Sequence, residues 1–205
     1  MNLKKAKSFF AVTLLSIICL SVFSACGKVE TPTDAVLKAL TATKIVNKDE
    51  MNNYFNYEDL MAFDKTNKDK STTTTKTSTE YSKLIFSKLS YKIISSSKDG
   101  DITTVKTEIT NTDMVIVMTE YITDAMTLAA SNALLPEDKK LKQEDIDKKI
   151  EQLLIDKLSK KDNKKATTIV DIKLTKKDNN WKITMDKQLQ DAITGGLSNY
   201  SPEIK

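Results

Sequence analysis

Histidine is absent from this 205-residue chain and every one of its 32 basic residues is a lysine, so chemistry falls to carboxylates, phenols, lysines and two cysteines. His-based proton transfer, Ser-His and Cys-His nucleophile pairs, histidine metal sites and bidentate arginine clamps are excluded together. The most suggestive remaining arrangement is Asp113, Glu120 and Asp124 around Tyr121. A carboxyl group whose pKa is raised by burial, next to a phenol, is a proton-transfer pair. Acids along a helix are ordinarily solvated, which is the competing reading of the same residues. Metals find little here. Asp99, Gly100 and Asp101 are too few for a calcium loop, and Asp178, Asn179 and Asn180 have the composition of a turn. No metal and no cofactor is expected.

The cysteines lead elsewhere. Lys4, Lys5 and Lys7 precede an apolar run from Phe9 to Val22, and Phe23, Ser24 and Ala25 lead to Cys26. A charged start, an apolar core of this length and small residues before a cut are the marks of an export signal. The run is short for a permanent span. Residues 23–26 resemble the lipobox of bacterial lipoproteins, in which a small residue precedes a cysteine that is linked to diacylglycerol before the leader is cut between Ala25 and Cys26. Phe23 departs from the commoner aliphatic residue. Cys19 competes, but bulky Ile18 precedes it. Three fates stay open for the start of the chain: lipidation of Cys26, plain secretion with a free thiol, or an uncleaved anchor. Lipidation accounts for an exported cysteine that has no partner later in the chain. Two acyl chains suffice for stable anchoring, which places the protein at the outer face of the cell membrane.

The leader also explains the charge. It holds Lys4, Lys5, Lys7 and no acid, so the totals of 32 basic and 28 acidic residues become 29 and 28 for the mature chain. Signs are interspersed, and Lys160, Lys161, Lys164 and Lys165, the densest positive group, have no aromatic residues among them. Nucleic acid is not an expected partner. Anionic lipid beside the anchor is the nearest candidate for those lysines.

Elements must now position these residues. Thr31, Pro32, Thr33 and Asp34 begin a helix from about 32 to 46, and residues 49–63 read as one broken or two short helices with an aromatic face. Thr66 to Thr79 lacks any apolar residue and is a loop or the solvated approach to a helix carrying Tyr81, Leu84, Ile85 and Phe86. The period then changes to two. Leu89, Tyr91 and Ile93 alternate before the Asp99, Gly100 turn, and Val105, Thr107 and Ile109 after it. A second hairpin places Val170, Ile172 and Leu174 before Asp178, Asn179 and Asn180, and Trp181, Ile183 and Met185 after them.

Between the hairpins, Met114 to Leu135 reads as a buried amphipathic helix capped by Asp113, although Val115, Ile116 and Val117 could instead open a strand. Glu120 and Asp124 argue against a membrane span there. A second helix follows Pro136, with acid-before-lysine pairs Glu144 to Lys148, Asp145 to Lys149 and Asp156 to Lys160. Gln188 to Leu197 closes the chain as a short helix, with Gly195 and Gly196 as its stop.

The order of helices, hairpin, helices, hairpin and terminal helix resembles the cone-shaped nuclear-transport-factor-two and ketosteroid-isomerase superfamily, especially its small Gram-positive lipoproteins. The Thr31 to Asp34 helix start, the Asp99 to Asp101 turn with Val105 and Ile109, the Asn111, Thr112, Asp113 step and Trp181, Lys182, Ile183 carry that likeness. It implies an α+β fold with a curved antiparallel sheet of about four strands packed against several helices, behind an N-terminal signal helix. The domains expected are a signal peptide at 1–25, a lipidated tether at 26–31, and one cone-like domain at 32–200 with a helical insert at about 136–165. A cone pocket would be lined by residues such as Tyr91, Met118, Tyr121 and Trp181. Three functions follow as expectations: a non-catalytic module holding a small apolar ligand or an envelope protein, an isomerase or dehydratase using the acids and Tyr121, or a structural envelope-assembly protein. Fold alone does not choose among them.

Overall fold

The computed structural model describes residues 29–62 and 75–200, with the backbone alone for 75–78. Pro32–Lys205 forms one compact unit. The segment expected to be a signal peptide, with Cys19, Ala25 and Cys26, and also Phe63 and the threonine-rich approach up to residue 74, lie outside the described residues.

Helix α1 (Pro32–Ile45) starts with proline at its first position and Asp34 in its first turn, where a missing N–H costs nothing and an acid meets the positive helix end. It buries Ala35, Val36, Ala39, Leu40 and Ala42, small residues that allow close approach. The broken helix expected at 49–63 is two: α2 (Lys48–Tyr54) and α3 (Tyr57–Leu60), capped by Asn47 and Asn56. Met51, Tyr54, Phe55, Tyr57 and Leu60 are buried, so the aromatic face is core. Helix α4 (Thr75–Phe86) follows.

The sheet consists of β1 (Ser90–Asp99), β2 (Ile102–Thr112), β3 (Lys165–Lys177) and β4 (Asn180–Ile183), in the order β1-β2-β3-β4 and antiparallel throughout. Both turns use left-handed backbone: Gly100 at φ 58°, and Asp178 and Asn179 at φ 52° and 62°, the geometry of a two-residue hairpin that matches strand twist. Pairing puts Val105 opposite Ile172 and Thr107 opposite Val170, so one face of the central strands is apolar. That face meets α1, α4 and α7 (Lys187–Thr194), and Phe86, Leu89, Ile109, Leu174 and Ile193 are fully buried there. On the other face Lys106 opposes Asp171, and both are exposed.

Two expectations fail. The sheet is open and not a curved cone. Bending a sheet around a cavity needs bulges or kinks in its long strands, yet β2 and β3 pair without a shift from Ile102–Thr175 to Thr112–Lys165, and the irregularity at Ile93/Ser95 is confined to the edge strand β1. The helix after β2 is also not buried. Helix α5 (Met114–Ala133) is capped by Asp113, whose side chain accepts from Ile116 N, so Val115 to Val117 are helical and not a strand. Only Met114 and Val117 of α5 are buried, and α6 (Gln143–Ser159) buries only Leu158. Together they form a helical arm inserted between β2 and β3, rooted in the sheet and running about 30 Å to its tip at the rise of a 20-residue helix. Of the three expected pairs on α6, Glu144–Lys148 closes at 2.8 Å, while Asp156 accepts from Gln152 and Lys160 turns 3.7 Å from Glu120.

Candidate functional site

The four residues expected to line one pocket are not brought together. Tyr91 lies on β1 opposite Ile109 and bonds through its hydroxyl to Thr41 Oγ1 at 2.6 Å. Trp181 lies on β4 opposite Lys176, whose Nζ stands 5.6 Å from the ring centroid. Both belong to the apolar face, but β2 and β3 intervene, which separates the edge strands by about 14 Å. Met118 packs against the core near the root of the arm. Tyr121 sits one turn further out, beside Tyr81 of α4. The order of strands, not the alternation within them, disperses the set.

The acids are occupied as well. Asp113 spends its carboxylate on the α5 cap, 3.2 Å from Ile116 N. Glu120 and Asp124, one helical turn apart, face Lys157 at 3.2 and 2.7 Å. The hydrogen bond to Asp124 is the main reason that the Lys157 ammonium holds its proton above the usual lysine range. These groups clamp α5 to α6, with the two carboxylates about half-exposed to solvent. Among the described residues no three His, Cys, Asp or Glu side chains are placed to hold a metal ion.

Where α4 meets the arm, the Tyr81 hydroxyl donates to Glu151 Oε1 at 3.2 Å. Burial, and then the Glu151 carboxylate, push the Tyr81 phenol up to about 12. An unfolded tyrosine ionises near 10, so between those values the unfolded chain loses a proton that the folded chain keeps, and stability falls as pH rises. Burial also raises the Tyr121 phenol, so phenolate absorbance is expected to show Tyr81 and Tyr121 titrating late, and Glu151→Gln to move Tyr81 earlier. A titration unchanged by that substitution would contradict the contact.

The structure adds a groove that the sequence did not suggest. Asn52, Tyr54, Phe55, Asn56, Lys182 and Ile183 line an open depression of about 460 Å³ between α2, α3 and β4. Local folding explains it. Asn52 Oδ1 accepts from Tyr57 N at 2.9 Å and Asn56 Oδ1 from Glu58 N at 3.0 Å, turning the chain sharply between the two helices. Lys182 crosses from the edge strand to donate to Asn53 O at 2.6 Å, a cation against the negative end of α2. In the sequence, Lys182 is merely the polar member of an alternating strand, and the asparagines look like turn residues. The groove offers amides, carbonyls, aromatic edges and the Lys182 ammonium.

No known protein family, curated protein or solved structure matches the chain. The likeness to the nuclear-transport-factor-two and ketosteroid-isomerase superfamily is therefore withdrawn. Element order alone suggested it, and the open sheet, the dispersed pocket residues and the projecting arm remove the features that would make it specific. The α+β class stands, with four antiparallel strands and seven α-helices among the described residues. No helix among them is long and apolar enough to cross a membrane.

Proposed function

We propose that this chain is a lipid-anchored protein of the outer face of the cell membrane whose domain binds another envelope protein without chemistry. One observation carries the reading: the sequence from Lys4 through the apolar run to Ser24, Ala25 and Cys26, an export leader ending at a cysteine suited to acylation. A protein partner is favoured over a small apolar ligand because the apolar face of the sheet is filled by its own side chains, Met51, Leu60, Phe86 and Ile109 among them. Among the described residues every buried side-chain polar atom has a hydrogen-bond partner, so the interior presents no unmet need that a ligand would satisfy. Recognition then falls to the outside: the amide-lined groove, and the arm tip, where Leu134 is 88 % exposed.

Cys26→Ala tests the anchor. The wild-type chain is expected in the membrane fraction with an acyl-modified N-terminal cysteine, and the variant in the medium or as uncut precursor. Membrane retention with unchanged processing would refute the reading. For the partner, in-cell crosslinking from Leu134 and Asn56 of the full chain should yield discrete protein adducts; a sole adduct with lipid would redirect the proposal.

A further inference from the structure

The mature chain is nearly neutral, yet its charge is unevenly placed. Lys88, in the link between α4 and β1, donates to the carbonyl of Lys160 at the end of α6. With fifty-two residues intervening after β2 ends at Thr112, the chain re-enters the sheet at Lys165, which pairs with Thr112. Lys160, Lys161, Lys164 and Lys165 are therefore gathered with Lys88 at one end of the sheet, five lysines accompanied in these two links by the single acid Asp162. From the 29 lysines and 28 acids beyond residue 25, that leaves 24 lysines against 27 acids for everything else. One end is positive and the remainder is negative.

The link is also held in shape. Asn163 Nδ2 donates to Lys157 O at 2.8 Å, and Asp113 N donates to Lys164 O at 2.8 Å. Lys161, Lys164 and Lys165 are exposed and make no ion pair among the described residues. Of the nearby acids, Glu120 pairs with Lys157 and with Lys160 of this group, and Asp113 serves its helix cap. Three exposed cations without an ion pair among the described residues, Lys161, Lys164 and Lys165, set beside Lys88 and Lys160, suit a broad anionic plane better than a single small anion. Each lysine near an anionic bilayer adds to the attraction, which acts within about 10 Å at 0.1 M salt.

We propose that the end of the domain carrying Lys88, Lys160, Lys161, Lys164 and Lys165 docks on the anionic surface of the bilayer that holds the anchor. This rests on the lipid-anchor reading for proximity, and it has a structural consequence. The arm is rooted at this same end, because α5 begins just after its cap Asp113 and α6 ends just before Lys160. Docking of the root leaves the exposed Leu134 and Leu135 at the far end of the arm, some 30 Å along it, available to a protein partner.

The test uses the full membrane-extracted protein, reconstituted into vesicles of phosphatidylcholine alone or with a third phosphatidylglycerol. Amine-reactive labelling of Lys161, Lys164 and Lys165 is read by mass spectrometry, with Lys149 and Lys177 as internal references. Expected is a drop of threefold or more at the three lysines on anionic vesicles, reversed by 0.5 M salt and not reproduced by inorganic phosphate with neutral vesicles. Lys161→Glu with Lys164→Glu should abolish the drop at Lys165. Equal labelling on the two vesicle types overturns the docking proposal. Floatation of the same samples separates the two ideas: if the protein leaves neutral vesicles but stays on anionic ones, the anchor reading fails while the docking stands.

Discussion

Replacing Gly195 by alanine is expected to cost about 3 kcal/mol or more of folding stability, a large fraction of what a domain of this size holds. Gly195 ends α7 with φ 63°, where a Cβ is disfavoured by about 1 kcal/mol. Space matters more than the dihedral: a Cβ there would stand 1.9 Å from the Thr112 carbonyl oxygen and 3.1 Å from its carbon. Thr112 is paired with Lys165 in the sheet, so that carbonyl cannot retreat without breaking the end of the β2–β3 ladder. Nor can Gly195 retreat easily. Its carbonyl accepts from Met114 N at 2.8 Å, satisfying one of the open donors at the start of α5. Gly100→Ala provides the comparison, with a similar φ of 58° and nothing within 4 Å of the added atom, and should cost only about 1 kcal/mol. In urea unfolding, Gly195→Ala should shift the midpoint about three times as far as Gly100→Ala with little change in slope. Equal shifts would mean that the close approach is not there.

Gly195 also illustrates what a sequence can disclose. A glycine pair after an apolar helical stretch announces a helix stop, and the stop is where expected, but nothing local says that Thr112, more than eighty residues earlier, fills the space beside it. The same division runs through the fold. Both hairpins, α1 and the asparagine-capped pair α2 and α3 are legible because turn residues and period are local signals. Period two also places Tyr91 and Trp181 on one face correctly. It cannot say that they sit on opposite edges, since strand order is a long-range fact. The α5 stripe of Met114, Met118, Tyr121 and Ile122 was legible as amphipathic but not as an arm: the partner of an apolar face is not written in its spacing, and here it is mainly α6 and not the sheet. The absence of curvature was equally hidden, because the uninterrupted β2–β3 register is a property of two strands that lie fifty residues apart. The groove went unseen for a related reason. Lys182 acquires its role only by reaching the carbonyls of Asn52 and Asn53.

The second large effect is expected at Asn111, fully buried at the end of β2. Its Nδ2 donates to Ile193 O at 2.7 Å and to Ile85 O at 3.1 Å, while its Oδ1 accepts from Thr112 N at 2.8 Å. Ile85 and Ile193 stand next to the last residues of α4 and α7, so one amide serves open carbonyls at two helix ends that water cannot reach. Asn111→Leu keeps the volume and removes all three bonds. Stranding buried polar groups costs about 1–3 kcal/mol each, and relaxation recovers part of it, so a loss of about 3–5 kcal/mol is expected. Asn111→Asp separates lost bonds from lost packing. An ionised carboxylate would face two carbonyl oxygens, which raises its folded pKa above the unfolded value. Protonation then favours the folded state, and this variant should regain stability between pH 7 and pH 5 relative to wild type, because a neutral carboxyl can donate one bond again. A variant whose deficit is independent of pH would show that Asn111 does not face those carbonyls. Because Asn111 reaches Ile193, two residues before Gly195, and Thr112 is shared by both sites, the two substitutions should couple: the double variant Asn111→Leu with Gly195→Ala should be destabilised by clearly less than the sum. That junction is the root of the arm. Loosening it is expected to free α5 and α6 before the sheet melts, seen as amide exchange in residues 114–159 that outpaces exchange in β2 and β3.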